Sequence, residues 1–76
     1  MNGLSDLQKD IMRVIDSWVK EEKTTIAQKE IVSQLFKAGV KGHVVKFALK
    51  ALIRKGYIRQ ASTISNKTYY VQLRGI

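Results

Sequence analysis

From Ile31 to the end of the chain there is no carboxylate side chain, and the polar groups with the most chemical capacity there are cations and donors. They include Lys41, His43, Lys46, Lys50, Arg54, Arg59, Asn66 and Lys67. Nine of the 14 basic side chains lie in this stretch, while the other five share the first thirty positions with all six acids. Lysine, arginine and asparagine without neighbouring acids suit phosphate oxygens and the O6/N7 edge of guanine, so the chemistry they offer is recognition of a polyanion. Catalysis is not expected. General-base or nucleophilic work would pair His43, the only histidine, with an acid, and none follows Glu30. Gly39-Val40-Lys41-Gly42 lacks the spacing of a phosphate-binding loop, and with no cysteine no metal site is expected. No cofactor is implied, and Trp18, Phe36, Tyr57 and Tyr69 are read as packing residues.

The chain that must present these groups is short. Its 76 residues carry a net charge of +8 and are 45% hydrophobic, with no proline. That describes one small basic domain spanning 1–76, too apolar for disorder and too small for an enclosed substrate pocket, so no small-molecule substrate is expected. No uncharged run is long enough to span a bilayer, and the opening Met1-Asn2-Gly3 does not begin a secretory signal. The expectation is an intracellular protein, in the cytoplasm and nucleoid or in the nucleus, with nucleic acid as the leading partner.

Periodicity supplies the scaffold. Leu7, Ile11, Val14, Ile15, Trp18 and Val19 form the stripe of an amphipathic helix, started by a Ser5/Gln8 capping box and running to about Glu22. The β-branched run ending at Ile26 predicts a brief strand with Ile26 inward. A second helix begins at Ala27, turns Ile31 and Leu35 inward, with Val32 beside them, and ends at Ala38-Gly39. After a tight turn, Val45, Ala48, Leu49, Leu52 and Ile53 mark a third helix closed by Lys55-Gly56. The segments 57–61 and 68–73 are rich in strand formers and flank a polar turn from Ser62 to Lys67, which predicts a β-hairpin with a basic tip.

The order helix, short strand, helix, tight turn, helix, hairpin resembles the winged helix-turn-helix superfamily. Residues 27–35 are similar to its second helix, and Leu49, Leu52, Gly56 and Ile58 occupy the places of the Leu-x-x-Leu-x-x-x-Gly-x-Ile run that ends its recognition helix. The resemblance implies an α+β fold: three helices, a C-terminal β-hairpin wing and a small antiparallel sheet. It further implies double-stranded DNA as the partner, with a third helix in the major groove and a wing on the backbone, as in a transcription regulator. With Val45 at the centre of the buried face and about 100° per residue, the exposed face carries His43, Lys46, Phe47, Lys50 and Arg54. Lys41 and Gly42 stand at the helix start, Asn66 and Lys67 at the wing tip, and Arg59 on the strand leading to it. The left-handed-DNA-binding branch of the superfamily is disfavoured, since Lys46 and Lys50 stand where it has Asn and Tyr.

Phe47 is out of place on a basic face. Packing against the wing or a partner is favoured over a base contact, and Phe47 also motivates an alternative function, a winged-helix protein-interaction module in a larger complex. A lone winged helix binds weakly, so a homodimer or larger assembly is expected, with Met12, Val19 and residues 73–76 as candidate partner surface.

Overall fold

The computed structural model describes residues 3–21, 25–64 and 67–75, with 62–64 described by backbone alone. Helix α1 (Asp6–Lys20) starts where the sequence predicts. The Ser5 hydroxyl accepts from the Gln8 backbone N–H at 3.2 Å, and Gln8 Oε1 accepts from the Ser5 N–H at 3.1 Å. Two end groups that the helix itself leaves unpaired are thereby satisfied.

Strand β1 (Ile26–Ala27) leads directly into α2 (Gln28–Lys37), and a tight turn connects α2 to α3 (Gly42–Arg54). Both helices end in the same way. Past α2, the Gly39 N–H donates to Phe36 O at 2.9 Å and the Val40 N–H to Leu35 O at 3.0 Å; past α3, Gly56 donates to Ile53 O and Tyr57 to Leu52 O, each at 3.0 Å. This is the Schellman arrangement, which requires a left-handed residue just past the helix. Gly39 at φ +88° and Gly56 at φ +81° supply it.

Strands β2 (Ile58–Ile64) and β3 (Lys67–Gln72) form the antiparallel wing, and β1 pairs on the other side of β3, giving the sheet order β1-β3-β2. The register sets Ile26 opposite Tyr70, Arg59 opposite Val71 and Ile64 opposite Lys67, with an irregularity between Gln60 and Ser62. Pairing therefore runs further toward the tip than the polar composition of 62–67 predicts. Together these elements make the expected α+β winged helix.

The core is apolar throughout. Ile11, Met12 and Ile15 of α1, Ile26, Ile31, Val45, Leu49, Leu52 and Ile58 are almost completely excluded from solvent. Ile26 points inward as its β-branched run predicts.

Several edge positions differ from expectation. Met12 is fully buried, because α1 packs against α2, α3 and β3 together, so it offers no partner surface. Val19 and Leu73 do remain exposed. Phe36 is not a packing residue: it lies beside the Leu35 face at the end of α2 and is 70% exposed. Ile53 sits at the margin of the α3 stripe and is also exposed.

Trp18 is half-buried, its indole N–H donating to Thr25 O at 2.6 Å, which ties the end of α1 to the residue before β1. Tyr70 is buried and its hydroxyl accepts from the Gln28 side-chain amide at 3.2 Å, joining β3 to α2. Burial raises the Tyr70 pKa above the ordinary 10.0, and the Gln28 hydrogen bond partly offsets that.

Two outcomes follow. Leu49→Ala removes a fully buried side chain between the helices and is expected to cost about 2–5 kcal/mol in urea unfolding, a large share of what so small a domain can hold. Because Tyr70 ionises at higher pH when folded than when unfolded, its contribution is intact below the unfolded value and lost as pH rises past it. Tyr70→Phe is expected to show a shallower decline of stability than the parent between about pH 9 and 11, measured by denaturant midpoints.

Candidate nucleic-acid interface

Helix α3 is held by its inner face. Val45, Ala48, Leu49 and Leu52 are buried against α1, α2 and β2, which fixes the helix's rotation. His43, Lys46, Phe47, Lys50 and Arg54 are all exposed. The first four line one shallow depression of about 180 Å³, and Arg54 follows at the end of the helix. The Lys50 ammonium lies 5.8 Å from the centroid of the Phe47 ring, a cation–π contact along the outer face.

The start of α3 is built for close approach. Gly42 packs against α2 so tightly that a β-carbon there would lie 3.3 Å from Val32 Cγ1. Lys41 is the N-cap residue, and no side chain caps this helix, so its first amides are directed outward with the positive end of the helix dipole.

A second depression, of about 310 Å³, opens between the start of α2, the middle of α3 and the start of β3. Lys29, Lys46 and Lys67 line it together with Gln28 and Thr68. Helix α2 begins there after Ala27, again without a side-chain cap. Lys46 borders both depressions and so connects the outer face of α3 to the wing.

The remaining cations divide by their partners. Lys55 Nζ donates to Gly3 O at 2.6 Å and to Gln8 Oε1 at 2.8 Å, a structural tie from the end of α3 to the start of α1. The Arg74 guanidinium lies 4.6 Å from the Tyr57 ring centroid. On α1, Arg13 pairs with Asp10 at 2.8 Å and Lys20 with Asp16 at 3.1 Å. Among the described residues, no cation of α3 is in a salt bridge.

A basic outer helix, an uncapped helix start and a hairpin beside them form the surface by which a helix-turn-helix grips duplex DNA. The family model of the LexA DNA binding domain matches residues 1–66. The chain belongs to the LexA DNA-binding domain family. It is thus a DNA-binding winged helix, of the kind found in transcription regulation. The match takes in the three helices and the first two strands of this LexA-type domain and ends just before Lys67, where β3 starts. No curated protein and no solved structure matches the chain.

The LexA-type fold brings most of the sequence-derived site residues together, with two qualifications. Arg59 is exposed on β2 opposite Val71, near the base of the wing, roughly 16 Å of strand away from the Ile64–Lys67 pair. Asn66 lies outside the described residues. Phe47 does not pack on the wing: it is 70% exposed.

Lys29 and Thr68, and the start of α2, were not among the expected site residues. Lys29 belongs to the near-neutral first thirty positions, and only the fold carries it to the basic side. The sequence did hold one signal for α2, the non-capping Ala27 before a helix start.

These side chains do little for the fold. Lys46→Ala and Lys50→Ala, made singly, are expected to change unfolding free energy by no more than about 0.5 kcal/mol. Denaturant titration of each variant checks this and separates binding defects from misfolding.

Proposed function

We propose that this chain acts as a double-stranded DNA-binding transcription regulator, with α3 in the major groove and the β2–β3 wing along the adjacent backbone. The observation that carries the reading is the outer face of α3: exposed cations and donors, held in a fixed rotation, with no carboxylate after Glu30 to neutralise them. In this reading His43 and Phe47 face the base edges, Lys46 and Lys50 reach guanine edges or the phosphates beside them, and Arg54, Arg59, Asn66 and Lys67 follow phosphates. The amides around Lys41 and Gly42 meet a phosphate directly, and Lys29 with the start of α2 grips another.

Residues 1–76 act as one module, a binding protein and not an enzyme, working in the compartment where the DNA is kept. No described helix is long and apolar enough to cross a membrane. A single module of this size buries about 600–1,000 Å² on DNA, which gives weak binding by itself. Regulation then calls for two copies on neighbouring half-sites or for further protein, with exposed Val19 and Leu73 as available apolar contacts. Switching is then assigned to concentration or a partner, as expected of a domain too small for an enclosed effector pocket.

A second reading has its own observation. Phe36 and Phe47 are both 70% exposed, which suits anchors for an acidic protein partner.

One titration separates the two readings. Backbone amide shifts are recorded against a random-sequence duplex at two salt concentrations. The DNA reading expects salt-sensitive shifts at 41–54 and at Lys67, and an affinity that falls with about the −0.9 power of salt per neutralised phosphate. Lys46→Ala combined with Lys50→Ala is expected to reduce that exponent by up to about 1.8. An absent or salt-independent interaction overturns the DNA reading and turns the basic face into a protein-docking surface.

A further inference from the structure

The outer face of α3 carries more apolar surface than phosphate binding requires. Phe47 is 70% exposed, and Val44, one turn before it, is 38% exposed. The ring shares its depression with cations and a donor: His43, Lys46 and Lys50 line it together with Phe47. A ring displayed in water at the centre of a charged face loses free energy in proportion to its exposed apolar area, so its position calls for an apolar complement on the ligand.

A duplex offers few. Phosphates, sugar oxygens and most base edges in the major groove are polar, and the one apolar group presented there is the C5-methyl of thymine. The arrangement on α3 has matching geometry. By the 100° step, Phe47 stands on the side of α3 roughly opposite the buried face of Val45, Leu49 and Leu52, the side that would face the floor of a groove, with Lys50 and Lys46 along one flank of it. Lysines so placed reach guanine O6/N7 or the phosphates bordering the contacted step.

We propose that Phe47 is a sequence-specificity determinant of this protein that reads thymine methyl groups in the major groove. The preferred site then contains at least one thymine within the α3 footprint, with guanine or backbone contacts from Lys46 and Lys50 beside it. This rests on the DNA-binding reading above and extends it from affinity to sequence. The cation–π contact between Lys50 and Phe47 has a part in it, because the lysine limits where the ring can swing and so aims it.

The test uses duplexes selected by the chain from a random pool, in which each thymine is replaced in turn by deoxyuridine, a change that removes only the methyl group. The expected result is a loss of roughly fourfold in affinity at one or two positions, the effect of one buried methyl, and little change elsewhere. Phe47→Ala is expected to bind the thymine and uracil forms alike, with an unchanged salt exponent because no charge is removed. Phe47→Leu is expected to keep part of the discrimination.

Uracil tolerated at every position, selection that returns no preferred sequence, or discrimination that survives in Phe47→Ala each overturns the inference while salt-dependent binding keeps the underlying reading intact. No binding to any duplex at low salt overturns both.

Discussion

The rotation of α3 about its own axis governs everything the protein can present to a partner. A helix turns about 100° per residue, so a slip of one residue in its seating would bury Lys46 and Lys50 and expose Ala48. Val45, Leu49 and Leu52 prevent this because all three are fully buried, against α1, α2 and β2. Either end is fixed as well. Gly42 lets the helix start close against Val32, and Gly56 ends the last turn so that Tyr57 folds back under Leu52. The core therefore contributes to recognition without touching a ligand: it decides which five side chains look outward.

Charge follows the same division of labour. The acids are confined to the first thirty positions, and on α1 they are partly spent on neighbouring cations one turn away. Such exposed pairs contribute little to stability, but they keep α1 nearly neutral. The cations of α3 have no such neighbours. Their field adds to that of the uncapped helix starts of α2 and α3, which carry partial positive charge of their own. Lys29 shows how the fold augments this: it sits in the mixed-charge part of the sequence, yet shares a depression with Lys46 and Lys67.

Much of the architecture was legible before any coordinates. The Ser5/Gln8 box, the Gly39 and Gly56 terminators and the apolar stripes are local signals, each with a local physical cause, and the observed elements start and stop within two residues of most of them. The errors fall at stripe margins. Phe36 and Ile53 stand next in sequence to buried Leu35 and Leu52, and whether such a flanking residue is covered depends on which element lies beside it, a long-range fact. Met12 errs in the other direction, because α1 is clasped by three elements and not by one. The wing strands extend further than composition suggests, since cross-strand pairing can hold a polar segment in extended form. For the candidate site, residues on α3 could be found by periodicity alone. Lys29 and Thr68 could not, since their nearness to Lys46 is created by the packing of α2, α3 and β3.

Concentrating so much positive charge on one side has opposing effects that salt separates. Like charges on α3 and the wing repel one another, which destabilises the compact state, and added salt screens that repulsion. The same screening, with the loss of the entropy gained from counterion release, weakens attachment to a polyanion. Stability and binding therefore respond to ionic strength with opposite signs, although both originate in the same side chains. A bound duplex removes the conflict, because its phosphates neutralise the repulsion that the fold alone leaves in place. For a chain of 76 residues without disulfides, whose core is purely apolar, the ligand is then also a stabiliser, in proportion to how far its concentration exceeds the dissociation constant.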